Sequence, residues 1–228
     1  MDLDLLKEKD KLSENTKTSF YITYVLLLTT GTITLIEALR TEIPAVRHIF
    51  NLETCVSIVA GYFYSTFIGI VTDKESKRID WSEVTKLRYI DWSITTPMML
   101  IVLCTFLSVN TGIKLHYYDL FVIITLNFLM LYSGYKGVKK EWSNQSGLLI
   151  GFLFYFLMML FIFYKYVKPK YVLSNYILFF IYFFLWSLYG VVYNLDEENK
   201  NKIYNYLDLT AKCFVGLGLW LFFNKLIV

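Results

Sequence analysis

The chain is short of the residues on which most soluble enzymes depend. Histidine occurs only twice in 228 residues, and charged residues make up 18%. His48 and His116 both fall in polar connecting segments, and no Ser/His/Asp arrangement accompanies either, so no enzyme activity is expected. Cysteine occurs three times, at Cys55, Cys104 and Cys213, each inside an apolar run. An odd count without an extracellular pairing pattern excludes a disulfide framework. The absence of CxxC and of His/Cys/Glu ligand spacing leaves no metal site. The three thiols read as small apolar packing groups. A net charge of +3, with no basic run interleaved with aromatics, gives no footprint for nucleic acid. The first eighteen residues are polar and mixed in charge. They lack the basic segment and short apolar core of a signal peptide. Leu3, Leu5 and Leu6 suggest a short surface helix there.

What is abundant is apolar. Hydrophobic residues make up 56% and mean hydropathy is +0.48, values that exclude an ordinary soluble domain and fit a polytopic membrane protein. Seven stretches are long enough to cross ~30 Å of hydrocarbon: 20–39, 54–72, 88–107, 118–135, 147–166, 173–194 and 203–226. Backbone groups in lipid must pair within each segment, so these are helices. The fold class is an all-α membrane protein, a bundle of seven transmembrane helices. A polar tail (1–18) precedes one domain (19–228). The short, charged connections leave little room for a second domain, and no internal repeat of the kind found in many transporters is visible.

Against this background the polar residues inside the spans stand out. A lysine at the centre of a membrane helix costs roughly 2.5–3.5 kcal/mol, and an aspartate about as much. Lys212 lies in an apolar stretch one helical turn after Asp208, on the same face. The third span reads R-Y-I-D-W-S-I-T-T-P from Arg88 to Pro97. In it Arg88 lies three residues before Asp91, and Thr95 four after. The sixth span carries Trp186, Tyr189 and Tyr193. Burial disfavours a charged amine, and a neutral amine condenses with aldehydes to an imine. If that imine is protonated it needs a buried counter-charge, which Asp91 and Asp208 can supply, with Arg88 balancing the excess. Trp92, Trp186, Tyr189 and Tyr64 can wall a long apolar ligand. Together these groups describe a retinal site. Each alone has a plainer reading: a structural ion pair, a tolerated proline kink, aromatic core.

These motifs resemble the microbial (type 1) rhodopsins. The third-span signature, L-D-L-T-A-K-C-F around Lys212, W-S-L-Y-G in the sixth span and L-M-L-Y-S-G-Y-K-G from Leu129 carry the likeness. The resemblance implies all-trans retinal held in the bundle centre as a protonated Schiff base on Lys212. Trp92, Thr96, Met99, Trp186 and Tyr189 would contact it. Asp91 would be the primary counterion and first proton acceptor, and Asp208 the second. Arg88 would be a gate on the extracellular side, Thr95 would bond to Asp91, and Tyr64 and Tyr89 would lie near the counterions. The family's pumps carry a proton-donating acid eleven residues after the primary counterion, where this chain has Val102. Its sixth-helix proline is Gly190 here, which suggests a more pliable helix. Of the outer acid pair used by some pumps, Glu198 falls near one position and Lys200 near the other.

Without an acid at 102, a light-gated cation channel is the favoured reading. An outward proton pump is the alternative and a sensory photoreceptor the third. Glu37, Glu53 and Asn205 are the candidate ion path, because acidic chains favour cations. Glu42 and Glu53 have simpler readings as a solvated loop face and a helix N-terminal charge. R-H-I-F-N-L-E-T (47–54) is similar to viral rhodopsins of the channel-forming group. The partners are then the lipid bilayer and cations or protons, with a homo-oligomer possible and no nucleic acid. Counting Lys and Arg would put the N-terminus inside. The resemblance puts it outside, with the C-terminus cytoplasmic, and that orientation is adopted. Replacing Lys212 with Ala is expected to abolish the visible absorption band formed on adding retinal; a surviving band would exclude Lys212 as the attachment point.

Overall fold

The computed structural model describes residues 12–73 and 79–226. The surface helix expected around Leu3–Leu6 lies outside them. Seven helices follow one another: α1 (Glu14–Arg40), α2 (Pro44–Thr72), α3 (Trp81–Thr111), α4 (Tyr117–Val138), α5 (Asn144–Val167), α6 (Leu173–Val192) and α7 (Glu197–Phe223). All seven are long and apolar enough to span a membrane. Successive helices are neighbours, and α7 packs back on α1 and closes the ring.

Most helix starts are written in local chemistry. Ser13, Asp80, Ser143 and Asp196 are N-caps whose side chains accept from the backbone N–H three residues on, at 3.0–3.3 Å. Pro44 opens α2, where its missing N–H costs nothing. Gly112 closes α3 in the left-handed region at φ 74°, its N–H bonding Ser108 O at 2.8 Å. These signals carry the helices beyond the apolar stretches. α1 begins at Glu14, inside the segment expected as polar tail, and α2 at Pro44 rather than 54. The first turns of α2 turn Arg47, His48 and Asn51 outward while Val46, Ile49, Phe50 and Glu53 face in. That amphipathic spacing is helical although the segment is too polar to read as a span.

The bundle is apolar outside and partly polar within. Leu39, Phe121 and Leu149 are 78%, 68% and 69% exposed, as suits side chains facing lipid. Arg88, Asp91, Asp208 and Lys212 are fully enclosed. Where α4 and α5 cross, only glycine fits. A Cβ on Gly147 would stand 2.8 Å from Ser133 O and 3.0 Å from Gly137 Cα, both backbone atoms that cannot swing away. Gly147→Ala must therefore part the two helices. It is expected to destabilise the bundle by about 1–3 kcal/mol, read as earlier thermal bleaching in detergent; an unchanged midpoint would show that the helices separate without cost.

Candidate functional site

Two helices supply the charges at the centre. On α7, Asn201, Asn205, Asp208 and Lys212 recur at four-, three- and four-residue intervals and form one inward stripe. The helix widens to i→i+5 pairing over Leu209–Phe214, around the lysine itself. Such π turns gather at functional sites. On α3, Arg88 and Asp91 face the same stripe.

Lys212 Nζ lies 2.7 Å from Asp91 Oδ2 and 3.7 Å from Asp208 Oδ2. Arg88 Nη1 lies 3.5 Å from Asp208 Oδ2. Two cations and two carboxylates thus balance in the core, which limits the cost of burying them. Asp208 is heavily solvated by protein, accepting from Tyr64 at 2.9 Å, Tyr189 at 2.7 Å and Trp92 Nε1 at 3.4 Å. Among the described residues the Asp91 carboxylate has only the lysine, and its Oδ1 has no partner. The two carboxyls therefore differ in character although both flank Nζ.

Arg88 seals one end. Its Nε donates to Asn201 Oδ1 at 2.7 Å and its Nη2 to Asn205 Oδ1. Its guanidinium stands 4.8 Å from the centre of the Phe67 ring. Asn205 is fixed in turn to Ser19 Oγ at 2.9 Å. Beyond it, Glu198 accepts from Ser13 N at 3.0 Å and Thr16 Oγ1 at 2.9 Å, while Lys200 pairs with Glu197 at 2.6 Å.

From Nζ a largely apolar cavity, partly open at its side, runs between α3, α4, α5 and α6. Trp92, Thr96, Met99, Trp186 and Tyr189 line it, with Met130, Phe152 and Tyr155 farther out. Asn127 donates to Thr96 Oγ1 at 2.8 Å on its wall. A long apolar group joined to Nζ fits this space, and the free oxygen of Asp91 beside Nζ suits a charged nitrogen.

Several expected contacts are arranged otherwise. Thr95 donates to the Asp91 backbone carbonyl at 2.9 Å and not to its carboxylate, because the i−4 carbonyl is the nearest acceptor on a helix. Tyr89 is turned from both carboxylates. It lines the cavity, its ring 5.3 Å from Trp92 and 5.2 Å from Tyr135. Glu53 is no helix-end charge. It sits in the third turn of α2, only 1% exposed. Glu37, 8% exposed, accepts from Trp220 Nε1 at 3.2 Å. Asn205 lies at the Arg88 end, apart from these two acids. Val102 is buried among apolar side chains. Asn201, which holds Arg88, was not anticipated, though its place in the α7 stripe was visible.

The family model of bacteriorhodopsin-like proteins matches residues 14–226. The chain belongs to that family. Among solved structures, the viral rhodopsin OLPVRII is 42% identical over 93% of this chain and 99% of its own, with a TM-score of 0.87. The rhodopsin of Exiguobacterium sibiricum (20% identity, 92% and 97% covered, TM-score 0.76) and the proton-pumping rhodopsin AR2 of the marine alga Acetabularia acetabulum (17%, 95% and 98%, 0.76) share the fold. No curated protein sequence matches. Membership implies a retinal chromophore bound through a lysine Schiff base in an integral, multi-pass membrane protein.

Within this rhodopsin the glycine at 190 has a packing reason. A Cβ there would collide with the Phe152 ring, which borders the cavity. Glycine thus admits the ring against α6, a role distinct from the pliability expected of it. Gly190→Ala should push Phe152 toward the chromophore space and shift the absorption maximum; an unmoved maximum would mean that the ring yields elsewhere.

Proposed function

We propose that this rhodopsin is a light-driven proton translocator, with all-trans retinal on Lys212, the N-terminus outside and the Arg88 end extracellular. The observation that carries this reading is the position of Glu53. A Cβ on Gly216, one turn beyond Lys212, would lie 3.0 Å from Glu53 Oε2. The buried carboxyl thus stands on the far side of Lys212 from Arg88. The acid that α3 lacks at Val102 comes instead from α2.

When bound, retinal supplies light absorption and an isomerisation that displaces the Lys212 nitrogen. The residues then divide the work. Asp91, nearest to Nζ and with an oxygen free, accepts the proton. Asp208, held by two tyrosines, a tryptophan and Arg88, keeps its charge as second counterion. Arg88, released from part of that charge balance, gates the outer route through Asn201 and Asn205. Glu53 returns a proton to the lysine nitrogen from the inner side. Its resupply runs along the seam between α1 and α2, where Thr34 and Thr54 hydroxyls lie 2.9 Å apart, toward Glu37. Thr96, Met99, Trp92 and Trp186 confine the ligand and exclude water.

Glu37 and Glu53 on this seam support the second reading, a light-gated cation channel in which they, with Asn205 at the Arg88 end, line a hydrated path. Voltage-clamped photocurrent under asymmetric cation gradients separates the two. Outward current that never reverses is expected, and Glu53→Gln should slow dark recovery roughly a hundredfold, the lower range for a lost general acid. Current reversing at a cation's equilibrium potential would establish the channel instead.

A further inference from the structure

Thr30 of α1 and Glu53 and Ser57 of α2 share a property. All three are buried, and among the described residues Thr30 Oγ1, Glu53 Oε1 and Ser57 Oγ each lack a nitrogen or oxygen hydrogen-bond partner. Ser57 follows Glu53 by one turn and so shares its face. The spot above Gly216 that lies 3.0 Å from Glu53 Oε2 is also 3.2 Å from Thr30 Cγ2, so Thr30 and Glu53 meet over that glycine. A Cβ on Gly31 would lie 3.2 Å from Ser57 Cβ, which brings Ser57 to the strip of α1 that carries Thr30.

The neighbours are committed elsewhere. Thr34 donates within α1, to Thr30 O at 3.0 Å, and faces Thr54. The Tyr182 hydroxyl donates to Met99 O at 3.4 Å. Lys212 is held by Asp91. The Cys213 thiol pairs with the Thr30 side chain, but sulfur is a weak hydrogen-bond partner and leaves that hydroxyl with capacity to spare. Buried polar atoms are almost always satisfied by protein or by ordered water. Three orphaned oxygens, two of them hydroxyls able both to give and to accept, match the several bonds that a buried water makes. Gly216 lets the Glu53 carboxyl and the Thr30 methyl pack side by side over its Cα.

We propose that Thr30, Glu53 and Ser57 form a buried hydration site, and that Thr30 and Ser57 are positioning residues for a protonated Glu53. The hydroxyls hold ordered water against the carboxyl and set how readily its proton leaves. The rate consequence rests on the reading of Glu53 as the inner proton source; the hydration site itself does not.

The test is infrared spectroscopy of the dark state, with and without retinal. The Glu53 carbonyl band is the one lost in Glu53→Gln. Thr30→Val and Ser57→Ala should each move this band to higher wavenumber and remove a water band that shifts in heavy-oxygen water. Both variants should slow dark recovery several-fold. Thr30→Ser and Ser57→Thr, which keep the hydroxyl, should preserve band and rate, and they report on the site if the first pair folds poorly. A band unmoved by Thr30→Val and Ser57→Ala, or no Glu53 carbonyl band at all, overturns the hydration site. If Glu53→Gln leaves recovery unchanged while the bands move as expected, the proton-source reading fails and the site stands.

Discussion

The contact between Lys212 and Asp91, at 2.7 Å inside the bundle, is the constraint that the rest of the protein serves. Neither charge is tolerable alone at that depth. Removing one partner of such a buried pair typically costs about 3–5 kcal/mol, because the other is left uncompensated. Asp208 and Arg88 extend the pair to a balanced set of four. Tyr64, Tyr189, Trp92, Asn201 and Asn205 supply the hydrogen bonds that water would otherwise provide. The aromatic density of the chain is in part a consequence, since tyrosine and tryptophan give a polar tip on an apolar body.

The two sides of this charge set are built differently. Toward Arg88 nearly every polar atom is paired, and the route is closed by side chains locked to one another. Toward Glu53 three buried oxygens of α1 and α2, on Thr30, Glu53 and Ser57, are left open among the described residues. A proton moves one way through such a molecule if the tight side opens only when Asp91 is filled, and the loose side refills the lysine nitrogen. In the proposed proton translocator, this asymmetry of hydrogen bonding would be the basis for direction.

Small residues let these features coexist. Gly147 and Gly137 bring α4 and α5 into backbone contact, Gly190 admits Phe152 against α6, and Gly216 leaves space for Glu53. Each position trades a side chain for proximity, and the cavity and the inner acid both depend on it.

The seven spans, their helical character and the placing of Lys212, Asp91, Asp208 and Arg88 at one level were legible in the chain. Charge is so costly in lipid that an isolated Asp or Lys in an apolar run announces itself, and helical spacing tells which share a face. The spacing Asn201, Asn205, Asp208, Lys212 was likewise visible, although only its second half was used. The plainer reading of Glu53 as a helix-end charge failed because α2 starts ten residues before its apolar stretch, and hydropathy does not register an amphipathic first turn. The hydrogen-bond partner of Thr95, the direction of Tyr89 and the reason for Gly190 depend on what stands opposite each side chain. The sequence by itself determined the fold and the central charges, because membrane burial acts on each segment separately. Only the tertiary structure decided which acid stands beyond the lysine, since that depends on how α2 and α7 meet across a glycine.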